Sequence, residues 1–105
     1  MTISILGHSI TPFGELWDLS LLDLLSSAKD GALKNAELDP KNIEAVFVSN
    51  KAASLYQNQL HLGALVSSLF DHYPPAVRIE GACASGALAL LSAEYALLSG
   101  QYQTV

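Results

Sequence analysis

Charge and cysteine are what this chain has least of. Lys, Arg, Asp and Glu together make up 14% of its 105 residues, against ~25% in an average soluble domain. The five basic residues are scattered and the net charge is −5, so the chain has no electrostatic footprint for nucleic acid. One cysteine, Cys83, is present. It excludes an internal disulfide and points to a reducing compartment. Met1 to Gly7 has neither the basic region and long apolar stretch of a secretory signal nor the arginines of a transit peptide. The longest apolar stretch, Ala84 to Leu98, is interrupted by Ser85, Gly86, Ser92 and Glu94, and is shorter than the ~20 residues that cross a bilayer. A cytoplasmic protein with no membrane partner is the expectation, and no metal site is expected. The small charge fraction carries a further implication. A free domain of this size normally needs more charge to cover its surface, so much of this one is expected to be buried against a partner subunit or a further stretch of polypeptide.

What is present alternates between strand-like and helix-like segments. Ile3 to His8 is short, β-branched and interrupted by a glycine, which predicts a first strand. Thr11-Pro12-Phe13-Gly14 is a loop. Ser20-Leu21-Leu22-Asp23 is a helix start, a hydroxyl cap with a carboxylate three residues on. Leu21, Leu22, Leu24, Leu25, Ala28, Ala32, Leu33 and Ala36 then recur at helical spacing, and their stripe is expected to be core. Asp39 to Asn42 is a turn. Ala45 to Ser49 reads as a strand buried on both faces, and Asn50 to Gln59 as a polar loop. A helix over 60–70 turns Leu62, Leu65, Val66, Leu69 and Phe70 inward, Tyr73-Pro74-Pro75 breaks it, and Ala76 to Glu80 forms the next strand.

From Cys83 to Ser99, twelve of seventeen residues are apolar, and a helix apolar nearly all round is expected to be buried nearly all round. Gly100 stops it, and Gln101 to Val105 starts another strand. The order β-α-β-α-β-α-(β) predicts an α/β fold with a mostly parallel sheet, within one domain over 1–105.

Cys83 is the chemical centre of this pattern. It sits in Glu80-Gly81-Ala82-Cys83-Ala84-Ser85-Gly86, where a strand turns through small residues into the apolar helix. Unsatisfied N–H groups and the positive helix end there favour thiolate, the nucleophilic form of cysteine, and small neighbours leave room for a substrate carbon. The bland reading is a small buried hydrophobe. For His8, His61 and His72 a structural or surface role is expected, and for Phe13, Trp17, Tyr56 and Tyr73 a packing role. Gly81 to Gly86 matches neither the Gly-x-Gly-x-x-Gly fingerprint nor a P-loop.

The run Cys83-Ala84-Ser85-Gly86, with the strand before it and the helix after it, resembles the nucleophile segment of thiolases, nearest to the sterol-carrier-protein-type and archaeal-type branch. The order of elements along the rest of the chain agrees. The resemblance implies a thiolase-like fold, of which this chain is the N-terminal part of the first βαβαβαββ half, with the helix after the nucleophile buried in the central layer. It implies acyl transfer from coenzyme A thioesters through an acyl-cysteine at Cys83, by 3-ketoacyl-CoA thiolysis or acyl-CoA condensation. The Cys83 N–H would donate to the thioester oxyanion. Coenzyme A would be substrate, with no cofactor. The family's activating histidine and second cysteine come from Gly-His-Pro and Cys-x-Gly type motifs in the second half of its chain, and neither motif occurs here. This chain is therefore expected to be a front portion, inactive alone. Its expected partners are a second copy in a homodimer or homotetramer meeting near Ala76–Glu80, or a complementary second-half chain. Other condensing enzymes of the same plan, the β-ketoacyl synthases and hydroxymethylglutaryl-CoA synthases, remain alternatives, as do a cysteine-elbow α/β hydrolase and a non-catalytic subunit or degenerate fragment.

Overall fold

The computed structural model describes all of residues 1–105. The elements, in chain order, are α1 (Leu21–Ala36), β1 (Val46–Ser49), α2 (Ala53–Tyr56), α3 (Leu62–Ser67), β2 (Ala76–Ile79) and α4 (Ser85–Leu98), with short 3-10 turns at Pro40–Asn42 and Ala82–Ala84. The fold is α/β. Two compact units divide it, one of residues 4–40 and one of residues 1–3 with 41–105.

In the 4–40 unit, α1 has both ends closed by its own sequence. The Ser20 hydroxyl accepts from the Asp23 N–H at 3.0 Å and the Asp23 carboxylate accepts from the Ser20 N–H at 2.8 Å, which completes a capping box. At the other end Glu37 takes the left-handed conformation at φ 54°. Its N–H donates to Lys34 O and that of Leu38 to Leu33 O, a Schellman pair built on glutamate where glycine is usual. Ile3 to His8 forms no strand. A strand needs a ladder partner, and Gly7 and His8 meet α1 instead. The His8 N–H donates to Asn35 Oδ1 at 3.0 Å, and a side chain at Gly7 would meet Ala36 and the Ala32 carbonyl at under 3 Å. The apolar stripe of α1 is half-buried apart from the exposed Leu22, with no residue fully enclosed.

In the other unit β1 and β2 pair in parallel, with Val46 opposite Ala76 and Ser49 opposite Ile79. The crossover between them carries α2 and α3, as a parallel pair requires. The one-turn helix α2 replaces the loop expected after Asn50, whose side chain accepts from the Ala52 N–H at 2.9 Å and starts the turn. Leu62, Val66 and Phe70 are buried as their spacing predicts. Gly63 faces the Ala76 carbonyl, which an added Cβ would approach to 2.7 Å, so a glycine lets α3 lie close on β2. Of β1, only Val48 is buried, because a two-stranded sheet has few neighbours to cover it. The same shortage applies to α4. It packs on β1 and β2 through Ser85 and Ala89, while Leu90, Tyr95 and Leu98 are exposed. The all-round apolar helix is thus enclosed on one side only.

Gln101 to Val105 forms no strand. The Glu44 carboxylate accepts from the Gln103 and Thr104 N–H groups, and Glu44 N–H donates to Thr104 O at 2.9 Å. Those two amide bonds, Gln103 first, hold the Glu44 carboxyl below its ordinary 4.5. Phe13, Trp17, Tyr56 and Tyr73 lie exposed. They sit in turns and loops or at the end of the one-turn α2, segments that run over the surface. No helix is long and apolar enough to cross a membrane.

Candidate active site

Parallel pairing sends both strands out of the same edge of the sheet, and in α/β folds ligands bind beyond the carboxyl ends of the strands. The segment after β1 begins Asn50-Lys51, and the segment after β2 runs Glu80-Gly81-Ala82-Cys83. Because Ser49 and Ile79 are register partners, these two segments start level with each other.

Cys83 is exposed and lies in the 3-10 turn Ala82–Ala84, two residues before α4 begins at Ser85. The α-helix therefore starts later than Cys83, and the thiol stands on the tighter turn that leads into it. Four hydrogen bonds shape that turn. The Ser85 hydroxyl, on a nearly buried residue, accepts from the Gly81 N–H at 3.0 Å and donates to the Ala82 carbonyl at 2.7 Å. The Ala84 N–H donates to Gly81 O at 3.0 Å. The Ala82 N–H donates to the Glu80 carboxylate. Ala82 has φ 52°, a left-handed conformation that costs an L-residue roughly 1–2 kcal/mol. The strained position is thus the residue before the thiol, whereas in a nucleophile elbow the nucleophile itself occupies the strained turn. A Cβ at Gly86 would meet nothing within 4 Å, so the helix face beside the turn is open.

The hydrogen-bond partner of the Cys83 sulfur is a lysine. Lys51 Nζ donates to Cys83 Sγ at 3.6 Å, across 32 residues of sequence. The backbone beside Lys51 is fixed from β2: Arg78 donates to the Asn50 carbonyl through both Nε, at 3.0 Å, and Nη2. Both functions of this device, the cation beside the sulfur and the arginine brace behind it, escaped the sequence reading. A basic residue just past the end of the neighbouring strand was the available signal. Ser85, one of the small residues expected to give clearance and the tight turn, holds that turn through its hydroxyl, a bond that residue size alone does not signal.

The histidines lie on other segments of the chain. His72 Nε2 lies 2.7 Å from Ile43 O, its ring edge-on to Phe70. His61 is the residue before α3, its N–H on Gln59 Oε1. His8 belongs to the 4–40 unit. No group of three or more His, Cys, Asp or Glu side chains is gathered for a metal ion.

The sequence profile described as the thiolase N-terminal domain matches residues 3–105, and the chain belongs to the thiolase family. Two curated relatives, from Methanothermobacter thermautotrophicus and Methanocaldococcus jannaschii, are each named acetyl-CoA acetyltransferase. Each is 38% identical over 104 residues, covering 98% of this chain. The matched region is 27% of the first relative and 26% of the second, so the chain spans about a quarter of their length.

Proposed function

We propose that this chain is the nucleophile-bearing portion of a thiolase-type acyltransferase acting on acyl-CoA thioesters. The observation that carries the reading is an exposed sulfur on a turn between a parallel strand and a helix, within a chain whose 38%-identical relatives are named acetyl-CoA acetyltransferases. In the proposed reaction Cys83 Sγ attacks the thioester carbonyl carbon, coenzyme A leaves as its thiolate, and an acyl-cysteine remains. A second nucleophile, another coenzyme A thiol or the α-carbon of a second acyl-CoA, then removes the acyl group. Covalent catalysis of this kind divides one difficult transfer into two easier ones.

Within the turn, the Ala82 and Ala84 N–H groups are committed to Glu80 and Gly81. The Cys83 N–H is the donor assigned to the developing oxyanion, a type of contact worth about 2.7–4 kcal/mol of barrier. Turnover is assigned to a larger assembly. The sulfur here has a lysine and no histidine as its hydrogen-bond partner, and the chain holds no second cysteine. The open face of α4 and the single ladder of β2 support further polypeptide, or a second copy, completing the layers. A cytoplasmic homo-oligomer is the setting we assign.

Mixing the chain with acetyl-CoA tests the reading. Acetylation of the chain that depends on Cys83, absent from Cys83→Ala, is expected by intact mass, without steady-state thiolysis. A folded chain whose Cys83 stays unmodified at saturating acetyl-CoA would sink the assignment. Thiolysis by the 105-residue chain alone, lost in Cys83→Ser, would overturn its proposed inactivity.

A further inference from the structure

We propose that Lys51 is a self-acylation site, receiving by sulfur-to-nitrogen transfer an acyl group first carried on Cys83. The inference rests on the reading of Cys83 as acyl acceptor, and adds to it a fate for the acyl group.

Geometry carries it. Lys51 Nζ lies 3.6 Å from Cys83 Sγ, and in an acyl-cysteine the carbonyl carbon is one bond from that sulfur. A small rotation of the lysine brings nitrogen to the ~3–3.5 Å separation of a near-attack conformer. The contact is fixed by backbone on both sides. Arg78 and the Asn50 side chain hold the Lys51 segment, and the Ser85 brace holds the Cys83 turn. The thiol is exposed, and so is the lysine, so a thioester donor can reach the first and the second can move.

The step balances without any outside reagent beyond the acyl donor. The Lys51 amine, having released its proton to solvent, attacks the thioester carbonyl. The new C–N bond forms, the C–S bond breaks, and sulfur leaves as thiolate. The second nitrogen proton goes to that sulfur or to water. Thioester and amine become amide and thiol. The amide is the more stable product, so transfer runs one way, regenerates Cys83, and removes the positive charge that stood beside it.

The test uses two acetyl donors, acetyl-CoA and phenyl thioacetate, which acylates exposed thiols by exchange without needing coenzyme A recognition. Peptide mass spectrometry reads hydroxylamine-resistant acetylation at each lysine. Acetyl-Lys51 is expected to exceed acetyl-Lys29, acetyl-Lys34 and acetyl-Lys41 by at least roughly tenfold, a small fraction of the effective molarities reached by well-placed groups. It should fall to the level of the other lysines in Cys83→Ala. In Lys51→Arg the acetyl group should stay on Cys83 as a hydroxylamine-labile adduct. Lys51 acetylation with phenyl thioacetate but not with acetyl-CoA would uphold the transfer and overturn the coenzyme A reading. A Cys83 adduct that never migrates would overturn the transfer and leave that reading standing. Lys51 acetylation that persists in Cys83→Ala, or Lys51 unacetylated with both donors, would also overturn it.

Discussion

Two helices in this chain begin with a serine, and the serines face opposite ways. Ser20 turns its hydroxyl forward onto the Asp23 amide of α1, so the first helix satisfies its own end. Ser85 turns back, onto Gly81 N–H and Ala82 O, and no side chain caps α4. Stability is the business of the first arrangement, since α1 encloses none of its own residues and depends on its closed ends. The second spends its hydroxyl on the shape of the preceding turn, where the thiol stands. All eight buried apolar residues, Ile43 to Ala89, lie in the unit that holds Cys83. That unit draws its stability from packing, which leaves its helix start available for chemistry.

Removing packing should separate the two units most sharply. Leu62 is the most enclosed side chain, 1% exposed, and Leu62→Ala should cost about 2–5 kcal/mol in denaturant unfolding. Ser85→Ala strands the Gly81 amide and should cost about 1–3 kcal/mol. It should also slow Cys83 acylation measured by intact mass, which no change at Ser20 should do. Ser20→Ala should cost about 1 kcal/mol with acylation unaltered. Gly86→Ala should gain up to ~1 kcal/mol of helix propensity, because the space beside it is open. If substrate passes over that face, it gains stability and loses acylation rate.

Acid should expose the closed end of α1. Asp23 sits below its ordinary 3.8 because it accepts from the Ser20 N–H and then from its hydroxyl. A carboxyl lowered on folding contributes stability that is whole above its unfolded value and lost as pH falls through the folded one. Thermal melts from neutral pH down through the carboxylate range should therefore show a decline that Asp23→Asn makes shallower. Glu44, lowered by the Gln103 and Thr104 amides, should contribute a second part of that decline, which Glu44→Gln removes.

Local signals were legible in the sequence; relations between distant segments were not. The capping box at Ser20, the helix stop at Gly100, the spacing of Leu62, Val66 and Phe70, and the turn of small residues between β2 and α4 all stand as residue patterns predict. Ile3 to His8 was misread because β-branched composition marks an extended segment and says nothing of its partner. Phe13 and Trp17 were misread because aromatic type alone does not place a residue inside. Lys51 shows in the sequence only as a basic residue past a strand end, for a related reason. Its meaning depends on the pairing of Ser49 with Ile79, which no local window contains.

That pairing works as a ruler. The cation follows Ser49 by two positions and the sulfur follows Ile79 by four, so the distance between them is set by how the strands are aligned. Sliding one strand by two positions would keep every side chain on its own face, yet carry the ends apart by roughly 6.6 Å and part the nitrogen from the sulfur. One residue inserted after Ser49, or lost before Cys83, would miscount in the same way. The spacing of these short connections is thus itself a chemical specification, written in backbone length.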